Sequence, residues 1–257
     1  MAVKIGIANQ KGGVGKTTTA IELGACMADR GYNVLVIDLE QQADVTKYMG
    51  ADQNKPGTFE VLKGDINIHE AIQKVSEFDV LSSSNRISAI ESDIDFAKPT
   101  AILKLKKLCK EVDDDYDFIF MDNNPGKNSL LNMCYIASDY LIVPSDDDEG
   151  SVDQIQTVYD ELKDLKDDEW TDAEVLGVLL TRAENTSVHT HAANTIEELI
   201  KRNESDAFFK IIRKGVAASE VKWEGSSMQH GKRRSSPAID YRHVADEILI
   251  RLGELEE

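Results

Sequence analysis

Residues Lys11 to Thr19 read KGGVGKTTT and follow a short apolar start, VKIGIANQ. Side chains at Gly12, Gly13, Val14 and Gly15 are absent or small, so the backbone amides of this loop can turn inward around phosphate oxygens. Lys16 then reaches the β- and γ-phosphates, and the Thr17 hydroxyl is placed for Mg²⁺. Thr18 falls in the first turn of a helix whose N-terminus favours an anion. The chemistry on offer is the binding of a nucleoside triphosphate with Mg²⁺. The common phosphate-loop pattern places a glycine five residues before the Gly15–Lys16 pair, and that residue is Gln10 here. A second lysine, Lys11, stands ahead of the glycines, where the ordinary spacing has no charge.

Two further residues carry chemistry by position. Asp38 closes the apolar run YNVLVID, and Asp122 closes YDFIFMD. Carboxyl ends of parallel strands face the ligand crevice, so both acids are expected beside the nucleotide. Glu40 follows Asp38 in DLEQQ, and Asp122 opens DNNPG.

The elements that must hold these groups follow from periodicity. Val3–Ala8 predicts a strand, and Thr17–Arg30 a helix with Ala20, Leu23 and Met27 on one face, Gly24 marking a close-packed point on it, and Gly31 ending it. Tyr32–Asp38 is the continuous apolar run of a buried parallel strand. Strand, phosphate loop, helix and strand make a βαβ opening. Further strands are expected at Phe78–Ser84, Tyr116–Asp122, Asp139–Pro144, Ala173–Arg182 and Phe208–Ile212. Helices are expected at Ala101–Val112, Ser151–Leu165, HAANTIEELIKR and about Tyr241–Leu252, with short helical pieces at TFEVL and IHEAIQKV. The expectation is one domain over residues 1–257: α/β, a doubly wound and mostly parallel sheet with helices on both faces.

No apolar run approaches the roughly 20 residues of a membrane span, and the chain opens directly into a strand rather than a leader. Cys26, Cys109 and Cys134 have no ligand-like spacing and read as buried thiols of a reducing cytoplasm. His189 and His191, in HTH, lack the further ligands a zinc site needs. Asp146 to Asp148 read as a solvated acidic loop. The net charge of −18 disfavours a uniformly nucleic-acid-binding surface. Its distribution is uneven, however. Between Phe208 and Arg242, Lys210, Arg213, Lys214, Lys222, Lys232, Arg233, Arg234 and Arg242 face only Glu220, Glu224 and Asp240. That segment carries +5 and leaves −23 on the remainder. A local patch is all that phosphate contacts require.

The form Lys-Gly-Gly-x-Gly-Lys-Thr, together with YNVLVIDLE, YDFIFMDNNPG, LIVP and GVLLTR in order, resembles the ParA/Soj-type partition ATPases. These belong to the wider deviant-Walker-A group of P-loop NTPases that includes MinD. The resemblance runs through nearly the whole chain and implies a weak, Mg²⁺-dependent ATPase that forms a homodimer in the ATP state. Lys11 would cross to the partner subunit's nucleotide and act much as an arginine finger does. Thr17, Asp38 and Asp122 would surround Mg²⁺, and Glu40 would orient the attacking water, completing a catalytic set with Lys11 and Lys16. Pro144 and Arg182 would border the base. Relatives read Asp-Leu-Asp-Pro-Gln where this chain has DLEQQ, so Glu40 reaches one methylene further and Gln41 lacks proline's fixed φ. Relatives also carry a Pro-Pro pair where this chain has Asn124-Pro125. These departures bear on turnover more than on nucleotide binding.

The resemblance further implies a role in plasmid or chromosome segregation, with non-specific DNA binding by basic residues of the last third, here Arg213, Lys214, Lys222, Lys232, Arg233 and Arg234. It also implies nucleoid association in the cytoplasm and a centromere-binding adaptor that stimulates hydrolysis. The nine or ten residues before the loop leave no room for an operator-reading helix-turn-helix. The acidic ending EILIRLGELEE disfavours a membrane anchor. A positioning ATPase for a protein cargo, such as a microcompartment or chemoreceptor array, or a MinD-like regulator, is the alternative.

Overall fold

A computed structural model describes residues 1–96 and 98–255. Its eight strands are β1 (Val3–Ile7), β2 (Val34–Asp38), β3 (Ile72–Lys74), β4 (Asp79–Leu81), β5 (Phe118–Asp122), β6 (Tyr140–Ser145), β7 (Glu174–Ala183) and β8 (Phe208–Arg213). They form one sheet in the order β3-β4-β2-β5-β1-β6-β7-β8. Every pairing is parallel except β3 with β4. The mostly parallel, helix-covered sheet expected from the sequence is therefore present.

The helices are α1 (Lys16–Ala28), α2 (Asp44–Tyr48), α3 (Thr58–Lys63), α4 (Ile68–Ala71), α5 (Ile90–Asp93), α6 (Pro99–Ile102) and α7 (Lys104–Glu111) in the first half. The second half adds α8 (Ser129–Ala137), α9 (Glu149–Asp167), α10 (Ser187–Arg202), α11 (Ala217–Glu224), α12 (Met228–Gly231) and α13 (Ser236–Arg251). Alternation along the strands splits the core. Val34 and Val36 of β2 pack with Leu23 and Met27 of α1 and with Tyr241 and Val244 of α13. Leu35 and Ile37 face the other way, toward Leu105 of α7 and Met133 of α8. A third cluster joins Leu141 and Val143 of β6 and Val178 of β7 to Ile155 of α9 and Ile196 of α10. At Gly24 an added Cβ would lie 3.1 Å from Val36 Cγ2, so the close-packed point expected there is present.

Three differences from the sequence reading have local causes. IHEAIQKV is not helical throughout. α4 ends at Ala71, and Ile72–Lys74 turn into the antiparallel edge strand β3, where Ile72 pairs with Leu81. A four-residue helix gains little from extension, and a β-branched residue beside a free strand edge gains a ladder. α8 has no counterpart among the expected helices; Asn128 caps it by accepting the Leu131 N–H at 2.9 Å. α13 begins at Ser236, five residues before Tyr241, with Pro237 in its first turn. The three cysteines are buried thiols, as expected.

α1 carries a buried acid that ties it to the chain's last third. Glu22 is 1% exposed. Its carboxylate accepts the Met228 N–H at 2.7 Å and Gln229 Nε2 at 2.9 Å. Burial pushes this acid up from 4.5 to about 7, against the pull of those two donors. The folded protein thus holds the proton more tightly than the unfolded chain. The associated stability is fully present below about pH 4.5 and is lost as pH rises through about 7. At about 1.4 kcal/mol per unit, that amounts to on the order of 3 kcal/mol. The melting temperature of the wild type is expected to fall between pH 5 and 8 by more than that of Glu22→Gln. Parallel melting profiles would assign the slope to other groups.

Candidate functional site

β1 ends at Ile7 and α1 begins at Lys16, so the glycine loop turns from the carboxyl edge of the sheet into a helix N-terminus. Gly13 and Gly15 have φ of +80° and +94°, a region that side chains disfavour. Val14 is buried, and its carbonyl accepts the Thr181 hydroxyl at 2.9 Å, which anchors the loop to β7. The loop opens on a cavity of about 420 Å³ lined by Gly12, Gly13, Gly15, Lys16, Thr17 and Thr18 on one side. Glu40, Thr181, Arg182, Arg213, Lys214 and Lys222 are also in its wall. Its volume lies in the range of small-ligand sites.

Lys16 is 6% exposed and donates from Nζ to the Lys11 carbonyl at 2.9 Å. Burial pushes its amine below the ordinary value, while the Asp122 and Glu40 carboxylates pull it back. The parallel register sets Asp38 directly beside Asp122, and both are fully buried. Asp38 is well supplied with donors. Its Oδ1 accepts the Glu40 N–H at 3.0 Å, and its Oδ2 accepts the Thr46 N–H at 3.0 Å and hydroxyl at 2.7 Å. Burial still pushes it up to about 6. Neither oxygen of Asp122 has a hydrogen-bond partner. Burial, and then the neighbouring Asp38, push it well above the usual carboxylate range, while Thr17 and Lys16 pull it down.

A fully buried carboxylate with two unsatisfied oxygens beside Thr17 fits a divalent cation. Of the three groups expected around Mg²⁺, Thr17 and Asp122 are available to it. Asp38 is engaged in holding the segment that carries Glu40. Glu40 stands in the cavity wall, pushed up by burial and by Asp44 and pulled down by Lys16 and Lys47.

Lys11 is not among the residues lining the cavity. Its amine pairs with Asp148 and lies 3.8 Å from Asp146. The acidic loop is therefore not merely solvated: Asp146 also pairs with Arg182, and Asp147 lies 3.6 Å from His189. The ends of β1, β6 and β7 lie side by side, which brings these partners together. Pro144, expected to border the base, is buried inside β6 opposite Leu179 and is not in the cavity wall. Its carbonyl accepts Asn9 Nδ2 at 2.9 Å. Sequence reasoning missed Asn9, Thr181 and Glu22, none of which is marked out by a motif of its own.

The basic segment is extensively paired. Arg213 meets Asp240 at 2.6 Å, Lys214 meets Glu184 at 3.1 Å, and Lys232 meets Glu220 at 3.1 Å. Arg233 pairs with Asp29, and Lys222 lies over the Tyr48 ring at 4.7 Å. Among the described residues Arg234 has no ion pair.

The profile of the AAA-domain family matches residues 2–175. The sporulation initiation inhibitor protein Soj of Bacillus subtilis is 28% identical over 251 residues, covering 95% of this chain and 97% of that protein. The chromosome-partitioning ATPase Soj of Thermus thermophilus is 26% identical over 252 residues, covering 98% and 97%. A Mycobacterium smegmatis structure described as cobyrinic acid a,c-diamide synthase, with bound ADP and magnesium, superposes with a TM-score of 0.83 at 25% identity, covering 98% of this chain and 96% of that one. With its two-lysine glycine loop and near full-length likeness to Soj, the chain belongs to the AAA-domain family and, within it, to the ParA/Soj-type partition ATPases.

Proposed function

We propose that this protein is a Mg²⁺-dependent ATPase that dimerises on ATP, binds DNA non-specifically in that state, and is released when an adaptor at its cargo stimulates hydrolysis. The observation that carries the reading is the division of labour between two lysines. Lys16 lies inside the cavity, and Lys11 lies outside it with its amine at the surface. An amine so placed is of use to a phosphate other than the one in its own loop. The likeness to two Soj proteins over nearly the whole chain supports the same reading.

The amides of Gly12, Gly13, Val14 and Gly15 would cradle the phosphates, and Thr17 and Asp122 would hold Mg²⁺. The metal would supply charge neutralisation at the transferring phosphoryl group. Glu40 is the acid at the cavity wall that can orient a water. Lys16→Ala is expected to abolish binding of a fluorescent ATP analogue, since Lys16 is the cation seated within the glycine loop itself. Undiminished binding would refute the assignment.

Glu40→Ala is expected to retain nucleotide binding and ATP-dependent dimerisation while phosphate release falls by about 10²-fold or more, the scale of a lost general base. Wild-type release in the variant would place water activation elsewhere.

For DNA, the pairing pattern ranks the basic residues. Arg234 is expected to contact phosphate, so Arg234→Ala should weaken binding of the ATP-bound dimer and reduce the salt slope by about 0.9. Arg233→Ala, which removes a cation already held by Asp29, should do less. Screening limits repulsion from the acidic remainder to about 8 Å at physiological salt. Equal salt slopes in both variants and wild type would move the surface elsewhere. No DNA binding by wild type would favour the protein-cargo reading.

A further inference from the structure

We propose that Asp148 and Asp146, at the β6–α9 junction, form a counter-ion latch that holds Lys11 in its own subunit until nucleotide is bound. The inference rests on the reading of Lys11 as a residue that serves a partner's phosphate. It adds the regulation of that residue.

Lys11 is held at three points. Its N–H donates to Asn9 Oδ1 at 2.8 Å, and buried Asn9 in turn donates to the Pro144 carbonyl at 2.9 Å. One side-chain amide thus fixes the backbone of Lys11 to the end of β6 from which the aspartates project. Its carbonyl accepts Lys16 Nζ at 2.9 Å. Its amine pairs with Asp148, with Asp146 Oδ1 3.8 Å away. Asp148 also caps α9 by accepting the Gly150 N–H at 2.9 Å, so its carboxylate is positioned by the helix. The Lys11 amine beside Asp148 holds its carboxyl below the usual range.

One of these holds is sensitive to nucleotide. Phosphate in the loop competes for Lys16 Nζ, which frees the Lys11 carbonyl. Arg182, in the cavity wall, is the other cation on Asp146. The latch itself is weak, as an exposed ion pair should be, and therefore reversible.

The test is the dissociation constant of the ATP–Mg²⁺ dimer, measured by light scattering over a concentration series. Asp148→Asn keeps the α9 cap, because asparagine caps as well as aspartate. It should tighten the dimer by up to about fivefold per subunit, hence about 25-fold when both subunits carry it. Asp147→Asn makes the same charge change one residue away, on an acid that faces His189, and should produce a much smaller effect. In a Lys11→Ala background, Asp148→Asn should lose its advantage over Asp147→Asn. If Lys11→Ala impairs the dimer while Asp148→Asn and Asp147→Asn behave alike, the latch is overturned and the cross-subunit reading stands. If Lys11→Ala dimerises as wild type does, or wild type forms no ATP-dependent dimer, the cross-subunit reading fails and the latch fails with it.

Discussion

Two carboxylates at the same level of neighbouring strands, Asp38 and Asp122, are buried completely and side by side. A bare pair of this kind is costly in a low-dielectric interior, so each must find compensation. Asp38 finds it within the chain, in the Thr46 hydroxyl and two backbone amides. Those bonds shape residues 38–46 and so present Glu40 to the cavity. Asp122 has no such set of donors, and only Thr17 and then Lys16 pull it back down. One acid is thus committed to structure and the other is left for a cation. The same register that creates the problem assigns the two roles.

The helix that starts at the phosphate loop is also bonded to the last third of the chain. Thr19 and Tyr241 hydroxyls lie 3.0 Å apart, and Glu22 holds the N–H of Met228. Arg242 in turn donates to Gln229 Oε1 at 2.9 Å. Buried polar contacts of this kind are stringent, because a donor or acceptor left without its partner is penalised. A displacement of α1 would therefore be felt by α12 and α13, between which Arg233 and Arg234 lie.

Much of this was legible in the sequence because it is local. The glycine loop, the strand-ending aspartates and the alternating core are each contained in a run of about ten residues or fewer. The roles of Asp146, Asp147 and Asp148 were not legible, because their partners Arg182, His189 and Lys11 lie 36, 42 and 137 residues away. The charge of the segment from Phe208 to Arg242 was counted correctly but overstated its reach. Asp29 and Glu184 neutralise part of it from outside the segment. Glu22 looked like an ordinary polar residue on a helix, and only the packing of α12 against α1 makes it buried.

Arg182 shows how a strand irregularity aims side chains at the cavity. Successive residues of a regular strand point to opposite faces. Thr181 and Arg182 are consecutive, yet both line the cavity. The β7–β8 register shifts between Leu180 and Ala183, and Arg182 has a φ of +54°. A left-handed conformation at a residue other than glycine costs on the order of 1 kcal/mol or more. The surroundings must offset it, and two contacts are in place to do so. Thr181 fastens the carbonyls of Val14 and Ser145, at 2.9 and 3.1 Å, and the guanidinium of Arg182 pairs with Asp146. The strained residue therefore leans on the same acid that lies near Lys11.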